Sequence, residues 1–211
     1  MGRSTATKNG TVAVSSRRDR ILQAAIEAFA KNGYHGASTR DIAELAGVTD
    51  PLLFYHFKTK ADLYLAAVRD QLEKLSEGLK DATAEATDVR ERLGAFVATY
   101  LAYFLDYEPG LTVTLVELQG VPYEVAEKIR RIHYRAVTEP LENMLDAGVA
   151  QGAFRPLDVP TCAMAITGIL QAFIRSEARK PGFVRREAAI AQVMEYYYEG
   201  LLARTSNVTK S

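Results

Sequence analysis

Few residues in this chain carry groups suited to covalent chemistry. There are three histidines, at positions 35, 56 and 133, and one cysteine, Cys162. The histidines show no metal-ligand spacing and have no thiol partner, and the sequence holds neither a GxSxG turn nor a glycine-rich phosphate loop. No catalytic residue, metal site or cofactor is expected. The side chains that do gather are of a recognition type. From Ser38 to Lys60 the chain reads STRDIAELAGVTDPLLFYHFKTK, which collects Thr39, Arg40, Thr49, Asp50, Leu52, Tyr55, His56, Lys58 and Lys60. Hydroxyl, imidazole and carboxylate groups can read base edges, an aliphatic group can meet a thymine methyl, and the cations seek phosphates. The competing reading is an ordinary helical hairpin whose lysines are merely solvated.

The local pattern predicts the elements that hold these groups. Ser38 or Thr39 can cap a first short helix, with Asp41 as a first-turn acid and Ile42, Ala43 and Ala46 as its apolar stripe. Gly47 follows, where a positive φ can end one helix and redirect the chain. Thr49 can cap the second helix, Pro51 falls in its first turn, and Leu53 and Phe57 share one face at a spacing of four. A helix of this length does not hold itself in water, so tertiary packing must fix its inner face and leave the outer face for a partner. Two short helices joined by a tight turn suggest a DNA-binding helix-turn-helix.

From Arg18 to Val68, AAIEAFAKNGYHGASTRDIAELAGV followed by LLFYHFKTKADLY closely resembles the DNA-binding domain of the tetracycline-repressor (TetR) family of bacterial transcriptional regulators. The resemblance covers about the first third of the chain. Its motif combines a phenylalanine and glycine before the turn, Thr39, the IAELAGV turn, and the aromatic-His-Phe-x-x-Lys run that ends at Lys60. Two residues depart from the family pattern. Phe54 stands where the family usually has a phosphate-contacting tyrosine, and Leu52 where a small or polar base-contacting residue is common.

Composition agrees with a soluble globular protein: 211 residues, 48% hydrophobic and 25% charged. The net charge of zero hides an asymmetry, with nine Lys and Arg against five Asp and Glu in residues 1–60, and 17 against 21 in the remainder. A basic front suits a nucleic-acid face. One cysteine excludes an intramolecular disulfide framework and fits a cytoplasmic protein, with Cys162 as a buried small hydrophobe. The longest uncharged run, Val159 to Ile174, is short for a membrane span, so no membrane partner is expected.

The expected fold is all-α. Residues 1–15 form a disordered arm, 16–61 a three-helix helix-turn-helix domain, 62–205 a larger ligand-binding and dimerisation domain, and 206–211 a disordered tail. Helix one begins near Ser16, carries Ile21, Leu22, Ala25, Ile26 and Phe29 inward, and stops at Asn32 and Gly33; His35 reads as surface. Beyond Lys60 the periodicity predicts helices over 62–84, 88–107, 111–118, 123–150 with a kink at Pro140, 158–179 and 185–204. Aromatic and polar residues interleave in this part. Phe96, Tyr100, Tyr103, Phe104, Glu117, Arg130, His133 and Tyr134 could line a pocket for a hydrophobic or aromatic effector, or equally fill a core. The helix from Cys162 to Ile174 is apolar almost all round and needs neighbours on both sides. Dimerisation supplies them, through Met164, Gly168, Gln171, Ile190, Met194, Tyr197 and Leu201. The family resemblance implies a four-helix bundle across the twofold axis at this helix pair. These readings combine into a homodimeric, sequence-specific regulator of palindromic operator DNA, acting as a repressor that a small molecule releases. The alternatives are a helical small-molecule carrier or enzyme that retains the hairpin, and an activator or nucleoid-type DNA binder.

Overall fold

Residues 16–106, 118 and 120–201 are described here from a computed structural model; among them every regular element is helical. The expected arm, the tail, the 111–118 helix and Glu117 lie outside the described residues. Helix α1 spans Arg17–Gly36, α2 Thr39–Leu45, α3 Asp50–His56, α4 Lys60–Ala84 and α5 Val89–Asp106. A second group follows, with α6 at Tyr123–His133, α7 at Glu139–Ala150, α8 at Val159–Arg179, α9 at Arg186–Val193 and α10 at Glu199–Leu201.

Helix α1 starts on a capping box. Ser16 Oγ accepts from the Asp19 amide at 3.1 Å, and the Asp19 carboxylate accepts from the Ser16 amide at 3.1 Å. The expected stop is a break rather than an end, because Gly33 takes φ 67° and the helical path resumes to Gly36. Ile21, Leu22, Ala25 and Phe29 face inward, where Ile42 and Ala43 of α2 and Leu53 of α3 meet them. Gly47 has φ 64° and Val48 donates to the Ala43 carbonyl at 2.9 Å, which closes the turn between α2 and α3. Ser38 and Thr49 occupy the N-cap positions of these two helices, but neither side chain makes the capping hydrogen bond expected of it. The working cap is at Thr59, whose Oγ1 accepts from the Asp62 amide at 3.0 Å and donates to the Asp62 carboxylate at 2.8 Å. Helix α4 therefore starts at Lys60, two residues earlier than the periodicity predicts.

The α4 helix, 25 residues long, belongs to two cores. Leu63, Tyr64, Ala67 and Val68 are buried at its front, with Tyr64 edge-on to Phe29 at 5.0 Å between ring centroids. Leu72, Leu75 and Leu79 are buried further along, in the body that α5 and α6 complete. The segment 123–150 runs through without a loop, but a wide π turn at Tyr134–Thr138 separates α6 from α7. Pro140 follows that turn and has no amide hydrogen to give the Ala136 carbonyl, so the helical ladder is interrupted there in any case. A second π turn, Met194–Tyr198, breaks the last helix. Gly148 is required by packing, since a Cβ there would enter the Phe154 ring.

Helix α8 buries Val159, Ala163, Ile166, Leu170 and Ile174 against the body. By length and composition it could cross a membrane, which the run Val159 to Ile174 alone did not suggest. Its opposite face is exposed, and Thr161, Met164, Ala165, Gly168 and Ala172 follow one another there at helical spacing.

Candidate nucleic-acid interface and effector region

The front three helices leave most of the sequence-predicted DNA-binding residues open to solvent. Leu53 and Phe57 fix α3 from inside, and Arg18 lies over the Phe57 ring at 5.2 Å, tying α1 to the end of α3. Outward, Tyr55 is 78% exposed, and Arg40, Thr49, Asp50 and Lys58 are exposed beside it. Thr39 is partly exposed. Leu52 and His56 are half-buried, and the His56 ring is edge-on to Tyr55 at 5.3 Å. Asp50 is the first residue of α3, an exposed acid at the positive end of a helix dipole. Phe54, 41% exposed, and Leu45, 54% exposed, add bare apolar surface to the same head. Their signal in the sequence was the departure from the family pattern at Phe54; nothing singled out Leu45.

Lys60 is not a free cation. Its Nζ donates to the His35 carbonyl at 3.2 Å and lies 5.0 Å from the Tyr34 ring centroid. Burial there lowers its pKa. Tyr34 in turn rests against Tyr64 at 5.0 Å, and the same loss of water raises its own pKa.

The candidate effector residues divide between the core and the surface of the body. Phe96, Tyr100 and Phe104 are buried in a row along α5, with Tyr100 and Phe104 at 5.0 Å, so they fill the core. Tyr100 lies beside Gln171 of α8, and burial drives the Tyr100 pKa upward. Tyr103 leaves this row: its hydroxyl donates to Gln71 at 2.9 Å, at the backbone carbonyl and at Oε1. Arg130 pairs with Glu127 on the surface, and Tyr134, 44% exposed, donates to Glu142 at 2.6 Å. Neither converges on Tyr100, because Arg130 and Tyr134 sit on the charged outer face of an amphipathic segment whose inner face is Val125, Ile129 and Val137. His133 is half-buried, and burial lowers its pKa below the usual 6.5. A groove of about 1020 Å³ lies between α1 and α4, walled by Gln23, Glu27, Gln71, Glu77 and Asp81, with Tyr103 at one side.

Among the dimer candidates, Met164 is 66% exposed and Gly168 opens on empty space. Ile190 is half-buried, and Tyr197's side chain lies outside the described residues. Gln171 and Met194 are half-buried and Leu201 is buried. Gln171 lies against Tyr100, Met194 Cε approaches the Gly94 position, and the buried Leu201 has its carbonyl accepting from the Arg155 amide at 3.0 Å. Periodicity could not separate these faces because the helix pair is apolar on both.

Residues 21–67 match the family model of bacterial regulatory proteins, tetR family, and residues 86–175 match the tetracyclin repressor-like C-terminal domain. The transcriptional activator FasR of Mycolicibacterium smegmatis is 30% identical over 152 residues, covering 71% of this chain and 69% of that protein. The chain belongs to the TetR family. This TetR-family protein is a DNA-binding transcriptional regulator. Its fold matches that of the fatty acid degradation regulator FadR from Bacillus halodurans with a TM-score of 0.78 at 27% identity, covering 87% of this chain and 98% of that one. FadR from Bacillus subtilis, in complex with stearoyl-CoA, also aligns with a TM-score of 0.78, at 24% identity, covering 86% and 98%.

The neutral His133 gives the regulator a pH-dependent element. Its folded pKa is depressed, so the unfolded chain takes up the proton first; the stability tied to His133 is present above the usual 6.5 and is lost as pH falls through that value toward the folded one. His133→Gln should therefore show a smaller fall in melting temperature between about pH 7.5 and about pH 5.5 than the unaltered protein. An equal fall would show that His133 protonation is not linked to folding.

Proposed function

We propose that this regulator is a homodimeric cytoplasmic repressor, not a catalyst, and that a ligand with a long apolar chain releases it from a palindromic operator. The reading assigns DNA recognition to residues 16–61 and effector binding with dimerisation to 62–205. One observation carries it: α4 begins beside the recognition surface, caps at Thr59, and continues without a break into the body, so a shift in the body must move the head. The effector class rests on the aromatic row Phe96, Tyr100 and Phe104, and on the fatty-acid regulators and the stearoyl-CoA complex among the similar proteins. A chain entering that row displaces packed rings, which is a way to move α5 against α4. The dimer reading rests on the exposed α8 face around Met164 and Gly168, which a second copy would cover.

Genomic fragments retained by the purified protein should share a palindrome with half-sites one or more helical turns apart, and stearoyl-CoA should release them. Retention without a common site would contradict the operator reading, and indifference to stearoyl-CoA the effector class. On that palindrome, Lys60→Ala should weaken binding to all variants alike and lower the salt slope by about one. Tyr55→Ala should change the preference among single-base variants, with about 1–3 kcal/mol at stake for a lost base contact. Competition titrations at several salt concentrations separate the two behaviours; a uniform effect of Tyr55→Ala would assign it to the backbone instead.

Gly168→Arg tests the interface. A side chain there meets nothing within its own subunit, so the monomer should keep its fold while the dimer is lost. Light scattering should report the monomer mass and operator affinity should fall, since one head makes half the contacts. A dimer of unchanged affinity would place the interface elsewhere.

A further inference from the structure

The head touches the body at a second place besides α4. Gly120 stands in the turn that leads into α6, with φ 75°, and Val121 donates back to the Leu118 carbonyl at 3.3 Å. A Cβ built on Gly120 would fall within the His35 ring. His35 lies at the end of α1, beyond the break at Gly33, so the last turn of the head's first helix is seated on the approach to α6. The seat is glycine for two reasons: the positive φ and the absence of room for a side chain.

His35 also holds Lys60. Its carbonyl receives the Lys60 ammonium at 3.2 Å, and the same ammonium lies 5.0 Å from the ring centroid of Tyr34, the neighbour of His35. Lys60 is the first residue of α4 and borders the recognition surface. The same residue thus meets the body through its ring and a lysine beside the DNA-facing surface through its backbone. Behind Gly120, Val121, Val125 and Ile129 are buried, and α6 packs along α4, so any displacement of α6 against the body reaches the Gly120 turn.

We propose that Gly120 and His35 form a relay which sets the position of Lys60: a move of α6 presses or frees the His35 ring, and the His35 carbonyl then holds Lys60 on Tyr34 or gives it up to a phosphate. This deepens the operator reading and rests on Lys60 as a phosphate ligand. The relay enters the head through α1 rather than along the length of α4.

The test needs operator DNA and no effector. Gly120→Ala, which drives a methyl into the His35 ring, should lower operator affinity by at least about fivefold, the lower end of ordinary coupling between sites. Gly120→Asn should do the same with less backbone strain, since asparagine tolerates a positive φ. Thermal melting and circular dichroism report whether each variant is folded. His35→Ala in the Gly120→Ala background should restore affinity to within about twofold, because it removes the ring and leaves any strain at 120 in place. In a Lys60→Ala background, Gly120→Ala should cost much less than it does alone. Affinity unchanged in both Gly120 variants, or a loss that His35→Ala does not relieve, overturns the relay. A loss relieved by His35→Ala but undiminished without Lys60 overturns the role of Lys60 while keeping the contact. Lys60→Ala that binds like the unaltered protein contradicts the phosphate reading itself and leaves the Gly120 and His35 pair to be judged on the rescue alone.

Discussion

Helix α4 is the constraint on which the rest of the structure depends. At about 1.5 Å per residue, its 25 residues span about 37 Å, enough to serve two cores with one rigid element. Leu63, Tyr64, Ala67 and Val68 commit its front to α1, and Leu72, Leu75 and Leu79 commit its rear to α5 and α6. The short α2 and α3 could not fold alone, and α1 provides the surface that holds them. The head cannot be rotated relative to the body without sliding a packed helix. In a close-packed interior such slides occur between discrete arrangements rather than continuously. That property suits a regulator with two states.

Phe96, Tyr100 and Phe104 are buried, and among the described residues no buried side-chain polar atom lacks a partner. Gln71 of α4 is one case, accepting from Tyr103 and donating to Asp70 at 3.0 Å. Reversing a population from 1:99 to 99:1 requires a ligand to prefer one state by about 5.5 kcal/mol. An apolar chain that opens the row between Phe96 and Phe104 could reach that figure through burial of its own methylenes, at about 0.8 kcal/mol each. A small polar effector has fewer means of doing so in this lining.

The head was legible because each of its signals has a single local meaning. Gly47 needs its positive φ, Pro51 fits only a first turn, and Leu53 with Phe57 can share only one helical face; all three stand as read. The caps were less legible. Ser38, Thr49 and Thr59 all have the residue type for capping, but only Thr59 is followed at three residues by an acid whose carboxylate its hydroxyl also reaches. In the body, periodicity located the helices and not their partners. Tyr100 and Tyr103 are both aromatic, amphipathic and on α5, yet one lies in the core and the other reaches Gln71, a difference set by rotation about the helix axis against α4 and α8. The two π turns left only Pro140 as a trace, and the seat of His35 on Gly120 joins positions too far apart in the chain for any local pattern to pair them.

In the proposed mechanism a body ligand changes the disposition of the two heads through α4. The most direct measurement is the distance between spin labels placed one on each head of the dimer, at an exposed α1 position such as Lys31→Cys with Cys162→Ala, recorded for the operator complex and for the protein saturated with stearoyl-CoA. The account predicts a narrow distance distribution on the operator and a displaced one with stearoyl-CoA. Superimposable distributions, with stearoyl-CoA bound and operator released, would contradict it.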